Sequence, residues 1–241
     1  MTVKSVSGAS AVHDAVARRE ALIGVCYGLA AFLFWGVAPI YFKLVAHVAP
    51  AEILAHRIAW SAVFLLLLIG LLRRWRGVVT ALTSWRLFLP LLLSAAILSS
   101  NWFTYIVAVN SGQVLQASLG YYINPLVNVL LGMLFLKERL RPSQIAAVAL
   151  ATIGVAVMIG AAGEVPLIAL FLGFSFGFYG LIRKLVPVDA ISGLSVEAVA
   201  LTPFALGYIF WLGSAGSFGA IDLATDLLLV AAGLVTLLPL L

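Results

Sequence analysis

The chain has 241 residues, of which 64% are hydrophobic and only 10% are charged, and its formal net charge at pH 7 is +5. A water-soluble domain with so little charge would aggregate, so the composition excludes a soluble globular protein. The positive charge does not predict nucleic-acid binding, because the lysines and arginines lie between apolar runs, where such residues set membrane topology.

Eight apolar runs follow a polar N-terminal tail at residues 1–22, and most approach the ~20 residues that cross ~30 Å of hydrocarbon. The tail lacks the apolar region of a cleavable signal peptide, so the first run should direct insertion. The polar stretch 71–86 carries four arginines and two tryptophans and suits the membrane interface. The runs cover residues 23–42, 53–72, 87–109, 117–136, 145–161, 165–182, 195–212 and 227–241.

The basic residues indicate how the chain is oriented. Twelve of the 14 lysines and arginines fall on one side of the alternating pattern of runs. Cytoplasmic loops retain Lys and Arg, so a cytoplasmic N-terminus follows. This orientation places Arg74 and Arg139 inside, and Gly112 and Glu164 outside.

The last apolar run has only 15 residues and no flanking charge. A terminal carboxylate and the last helical carbonyls would then lie in or near hydrocarbon, which is expensive. We therefore expect the natural chain to continue beyond residue 241.

An internal sequence similarity, at an offset of 141 residues, relates the first and sixth runs. Trp35 and the glycine after it align with Phe176 and its glycine, and His56 aligns with Glu197. Successive runs cross the membrane in alternate directions, and the first and sixth runs are five crossings apart. The two copies would therefore have opposite orientations. Inverted repeats are a common transporter architecture, with the substrate site between the repeats. Chance similarity of two apolar helices is the alternative.

The second run contains ionisable residues, which are costly within a membrane and mark candidate functional sites. Glu52 and His56 are one helical turn apart on one face, and Arg57 lies deeper and needs a partner. One interpretation is an anion or proton-coupling site, in which Glu52, His56 and Arg57 gate the outer mouth, together with their distant counterpart Glu197. Arg57 would then be held by Glu52 or by the substrate. The other interpretation is a pair with a structural role only, with the Arg57 side chain extended to the lipid headgroups.

Polar and aromatic side chains concentrate in the outer halves of the third and fourth runs. Pro125 frees a backbone carbonyl there, which membrane helices tolerate where they line a cavity. Asparagines can also bridge helices without binding anything, so that alternative stays open. The residues predicted to form a substrate cavity are Trp35, Asn101, Trp102, Tyr105, Tyr121, Asn124 and Asn128.

Ser175 lies in a Gly-x-Ser-x-Gly string, the pattern of a hydrolase nucleophile. That motif needs a strand-to-helix elbow, whereas this string lies inside an apolar run. Gly173 and Gly177 also form a Gly-x-x-x-Gly helix-packing face, which Gly24 and Gly28 repeat in the first run. Motifs for nucleotide, metal or redox cofactors are not found in the sequence, so we expect no cofactor.

At several of these strings the chain resembles the RarD group of the EamA family, in the drug/metabolite transporter (DMT) superfamily. The strings in 52–57 and 117–128 are quite specific to this group, whereas those at the first run and at 137–140 are shared across the family. The matching segments are 35–43, 52–57, 101–110, 117–128, 137–140 and 181–190.

The resemblance implies an all-α polytopic membrane protein of the bacterial inner membrane with inverted five-helix repeats. Residues 23–161 would form the first repeat and residues 165–241 an incomplete second repeat of three helices. Eight of an expected ten transmembrane helices would then be present. Without the missing helices, the face of Tyr121, Asn124 and Asn128 is expected to meet lipid, water or a second copy of the chain. Contact with a second copy would give a homo-oligomer.

The family implies a secondary transporter, an exporter of small metabolites or drugs, rather than an enzyme. Its partners would be a small-molecule substrate and the lipid bilayer. Two other classes stay open: a non-transport membrane component, such as a scaffold or regulator, and an intramembrane hydrolase that uses Ser175.

Overall fold

The computed structural model describes residues 4–163 and 165–240. Within those residues there are nine α-helices, one 3₁₀ turn and no strand, so the predicted all-α class is confirmed. The helices are α1 (Lys4–Leu44), α2 (Pro50–Leu72), α3 (Trp75–Thr83), α4 (Trp85–Asn110), α5 (Val114–Phe135), α6 (Pro142–Ala162), α7 (Leu167–Leu185), α8 (Ala190–Leu212) and α9 (Leu223–Leu237), with the 3₁₀ turn at Gly213–Ala215.

In the described part of the chain, seven helices are long and apolar enough to cross a membrane: α1 from Leu22 onward, α2, α4, α5, α6, α7 and α8. The protein is therefore a polytopic membrane protein. α9 has 15 residues, about 22 Å of helix, which is shorter than the hydrocarbon core. It begins four residues before the predicted run 227–241, because Asp222 caps it by accepting a hydrogen bond from the Thr225 amide.

Two predicted boundaries differ from the structure. Helix α1 begins at Lys4, so it continues through the predicted tail, and residue 22 marks only where the apolar part starts. The polar stretch 71–86 contains the separate helix α3, which buries Val78 and Ala81 and leaves Trp75 exposed. This burial makes α3 one-sided, as expected of a helix lying along an interface.

Contacts between helix ends show that successive long helices alternate in direction. Arg74 lies 3.9 Å from Asp189, which joins the end of α2 to the start of α8. Lys184 at the end of α7 lies 2.6 Å from Glu138, just beyond α5. We call this the cation-rich end, because it also carries the basic residues of the α5–α6 connection.

The opposite end is joined by a second set of contacts. The Ser217 amide donates to Glu52 at the start of α2, and the His47 ring lies 3.0 Å from the hydroxyl of Thr225. The α1–α2 and α8–α9 connections therefore meet at this end. Glu164, predicted to lie on this side, is outside the described residues.

Helices α5 and α7 approach closely through small residues. A Cβ on Gly173 would lie 2.7 Å from Ile123 Cγ2, and one on Gly177 would lie 2.6 Å from Val127 Cγ1. The Gly-x-x-x-Gly string of α7 is thus a packing face, as predicted. The repeat of this spacing in α1, at Gly24 and Gly28, meets nothing within 4 Å among the described residues.

Candidate functional site

A cavity of about 640 Å³, open mouth included, lies among α1, α2, α4, α5, α7 and the end of α9. We call it the central cavity. Six of the seven predicted substrate-binding residues line it: Trp35, Asn101, Trp102, Tyr105, Tyr121 and Asn124.

The seventh residue, Asn128, does not line the central cavity. It lies one turn further along α5, is exposed, and donates from Nδ2 to the Asn124 side-chain oxygen at 3.3 Å. Sharing a helix face with Asn124 placed the two amides in contact, but the cavity does not extend that far along the helix.

Aromatic rings form much of the cavity wall. The Trp35 ring stacks on Tyr121 at a centroid distance of 6.1 Å and meets the edge of Phe176 at 5.7 Å. Tyr105 meets Tyr121 edge-on at 5.8 Å. The sequence marks Phe176 only as the counterpart of Trp35, and the structure brings these two residues into contact.

Asn101 connects two helices at the cavity wall. Its Nδ2 donates to the Leu172 carbonyl at 3.0 Å and to the Ser175 hydroxyl at 2.8 Å, which joins α4 to α7. The bridging interpretation of buried asparagines therefore applies to this amide group. Asn101 thus helps to hold the cavity in shape.

Ser175 itself lies within α7 and not at a strand-to-helix elbow. Its hydroxyl donates to the Phe171 carbonyl one turn earlier and accepts from Asn101. This is the usual bonding of a serine in a membrane helix.

Arg57 is 7% exposed and lies at the cavity wall. Its Nε donates to the Thr236 hydroxyl at 2.5 Å, and its guanidinium carbon lies 4.2 Å from the centroid of the Trp102 ring. Its Nη1 is buried and has no hydrogen-bond partner among residues 4–163 and 165–240. Thr236 was not predicted, since it lies 179 residues away in sequence.

Glu52 does not hold Arg57, so this part of the sequence hypothesis is wrong. Its two carboxylate oxygens accept from the amide and the hydroxyl of Ser217, at 2.5 and 3.0 Å. Five residues along an α-helix turn the side chain by about 140°. Glu52 and Arg57 therefore project to different sides of α2, one toward the α8–α9 connection and the other toward the cavity.

His56 and Glu52 both contact the α8–α9 connection. The His56 ring stacks on Phe218 at 5.0 Å. Hydrogen bonds from the backbone and side chain of Thr225 hold the pKa of Asp222 below its usual range, so this carboxylate stays charged at the start of α9. Contacts with α2 and the cap of α9 thus hold the α8–α9 connection in place at the opposite end of the bundle.

Glu197 belongs to a separate buried cluster nearer the cation-rich end. Its carboxylate accepts from the Ser94 hydroxyl at 2.6 Å and from the Tyr179 hydroxyl at 3.4 Å, and it lies 3.6 Å from Arg183 Nε. The alignment with His56 gives no indication of these three partners, and the sequence marks Arg183 only as one of the basic residues that set topology. In the structure a Cβ on Gly193 would overlap the Arg183 guanidinium, so the absence of a side chain there leaves room for this arginine.

Comparison with known proteins matches residues 22–160 to the EamA-like transporter family. The chain is 48% identical over 229 residues to an "uncharacterized transporter" of Vibrio cholerae, covering 93% of this chain and 75% of the relative. It is 48% identical over 220 residues to the protein RarD of Salmonella typhi, with 90% and 75% covered. It is 46% identical over 220 residues to the protein RarD of Escherichia coli, with 90% and 74% covered. No solved structure matches the chain.

Proposed function

Because this chain belongs to the EamA-like transporter family and, within it, to the RarD group, we propose that it is a secondary transporter that carries small metabolites or drugs across the bacterial inner membrane. The observation that carries the proposal is the central cavity, which lies within a bundle of apolar helices and has mixed aromatic and polar walls. Aromatic walls suit the apolar body of a small molecule, and a few polar groups fix its orientation. Export is the direction that the resemblance implies.

The composition of the cavity wall supports an inverted-repeat mechanism. Helices α1, α2, α4 and α5 come from the proposed first repeat, and α7 and α9 come from the proposed second. In transporters with this architecture, substrate binds between the repeats, and one repeat rocks against the other. The contact between Trp35 and Phe176 lies at such a junction.

We assign gating to the contacts at the two ends of the bundle. Glu52 and His56 hold the α8–α9 connection at the opposite end, and Glu197 accepts a hydrogen bond from Ser94 of the first repeat nearer the cation-rich end. Alternating access requires each set to break while the other stays closed. Arg57 lies between them, at the cavity, and is therefore assigned to the substrate.

The test is counterflow of a panel of radiolabelled metabolites into proteoliposomes that contain the purified full-length protein. Ala38 lines the cavity and is 6% exposed, so Ala38→Trp should fill the space and abolish flux. Ala151→Trp, on the exposed surface of α6, is the matched control and should retain it.

A scaffold or regulator would give no protein-dependent flux with any compound in the panel. Equal flux through the wild type and Ala38→Trp would show that substrate does not pass through the central cavity. The first result would contradict the proposed function, and the second would contradict the role given to the central cavity.

A further inference from the structure

Arg57 brings a positive charge to the cavity wall that the described part of the protein does not neutralise. It is the one charged side chain among the described residues that line the central cavity. No carboxylate of those residues lies within 4.0 Å of it, and Glu52 is already bonded to Ser217.

The interactions that Arg57 does make leave most of its donors unused. A guanidinium has five N–H donors, and only Nε is hydrogen-bonded within the described residues. The rings of Trp102 and Phe42 add cation–π contacts, at 4.2 and 5.5 Å from the guanidinium carbon, but Nη1 remains buried without a partner among the described residues. A buried charge of this kind is costly unless an opposite charge and further hydrogen bonds compensate it.

Building on the proposed function, we propose that the transported substrate is an organic monoanion, an aromatic or amphipathic carboxylate, whose charged group binds Arg57. A carboxylate can accept two parallel hydrogen bonds from a guanidinium. One arginine balances one negative charge, so a monocarboxylate fits better than a doubly charged phosphate ester. The apolar body of the substrate would lie against Trp35, Tyr121 and Phe176, which form the aromatic wall.

A structural role for Arg57 would call for a neutralising partner within the protein. The obvious candidate on α2, Glu52, points toward Ser217 instead. Thr236 is neutral and donates its own proton to the Ala232 carbonyl. Its hydroxyl oxygen thus accepts from Arg57 and orients the guanidinium without cancelling its charge.

Binding of three matched probes to the purified protein in nanodiscs tests the proposal. The probes are phenylacetate, its neutral isostere phenylacetamide and the cation phenethylamine, each measured by competition with tritiated phenylacetate. A charge-assisted contact should make phenylacetate bind roughly tenfold to a hundredfold more tightly than the amide. Phenethylamine should compete least of the three.

Two variants assign the preference to Arg57. Arg57→Gln should remove it, so that phenylacetate and phenylacetamide, the latter measured directly with the tritiated amide, bind this variant with similar affinities. Saturable binding of the amide also shows that the variant is folded. Lys43→Gln removes an exposed cation at the end of α1 and should leave the preference intact. Three results would each overturn the proposal: equal affinity of the wild type for phenylacetate and phenylacetamide, no saturable binding of phenylacetate to the wild type, or a preference for the acid that survives in Arg57→Gln.

Counterflow separates this inference from the proposed function. Flux of neutral or cationic compounds that is the same in the wild type and Arg57→Gln would overturn the anion assignment and leave transport standing. Arg57-dependent binding of phenylacetate without flux of any compound would support the anion site and contradict transport.

Discussion

Buried ionisable side chains in this protein are held in different ways, and the difference decides what each removal should cost. Glu197 has a cationic partner and two hydroxyl donors. Glu52 has no cationic partner within 4.0 Å among the described residues but accepts two hydrogen bonds from Ser217. Arg57 has a single hydrogen bond and cation–π contacts with the rings of Trp102 and Phe42. Arg57 is therefore the least compensated of the three, which is why we assign it to the substrate.

The pair of Arg183 and Glu197 permits a quantitative prediction. Their side chains are 14% and 3% exposed, so removing one partner leaves an uncompensated buried charge. Arg183→Gln or Glu197→Gln alone should lower the free energy of unfolding by about 3–5 kcal/mol, and the double variant should lose less than the worse single variant. Unfolding in mixed detergent micelles measures this.

The neighbouring pair of Lys184 and Glu138 is the control for that prediction. These side chains are 59% and 52% exposed, and an exposed ion pair contributes about 0–1 kcal/mol. Lys184→Gln should therefore change stability little. A similar loss of unfolding free energy in Lys184→Gln and in Arg183→Gln would contradict the prediction that the buried pair contributes more.

At the scale of elements, the position of α9 against α2 sets the cavity geometry. A Cβ on Gly233 would lie 2.8 Å from the backbone nitrogen of Ser61 and from the carbonyl carbon of Trp60. Thr236 follows one turn later and accepts the Arg57 hydrogen bond. The absence of a side chain at Gly233 thus allows the approach that brings Thr236 to Arg57.

Gly233→Ala should therefore separate α9 from α2, because backbone atoms cannot move aside as a flexible side chain can. We expect a loss of about 1–3 kcal/mol in the free energy of unfolding, together with weaker binding of phenylacetate. Gly207→Ala, on an exposed face of α8 with nothing within 4 Å, should be neutral or stabilise the helix by up to about 1 kcal/mol. A Gly233→Ala protein as stable as Gly207→Ala would contradict the close approach.

The same elements show how far the sequence can predict this fold. The long helices were predicted because hydrocarbon thickness and apolar composition act locally along the chain. The start of α9 was missed because it depends on the cap at Asp222 rather than on hydropathy. Residues lining the cavity were identified as polar or aromatic within apolar runs, but their roles remain predictions.

The partners of the site residues were beyond sequence reasoning. Glu52 and Ser217 are 165 residues apart, and Arg57 and Thr236 are 179 apart. Helical spacing relates only residues within a few turns, so it cannot find such partners. The sequence left Arg57 to Glu52 or to the substrate, and in the structure Glu52 bonds Ser217 instead. Contacts between distant helices depend on packing, which local patterns do not encode.

At the scale of the whole molecule, the alternation of the helices separates the charges between two ends. The cation-rich end holds Arg74, Lys184 and the basic residues that follow α5, such as Arg139. The opposite end holds the Glu52 and His47 contacts and the start of α9. Retention of Lys and Arg on the cytoplasmic side then predicts that the cation-rich end, with the N-terminus, faces the cytoplasm.

Single cysteines read out this orientation when the protein is expressed in a bacterial host. Cys26 is exposed and must first be replaced by Ser. Arg74→Cys and Arg139→Cys should resist a membrane-impermeant maleimide in intact spheroplasts and react after lysis. Ser111→Cys, next to the turn at Gly112 at the opposite end, should react in intact spheroplasts. Labelling of position 74 or 139 before lysis, with position 111 protected, would place the cation-rich end outside and reverse the gates that we assign to Glu52 and Glu197.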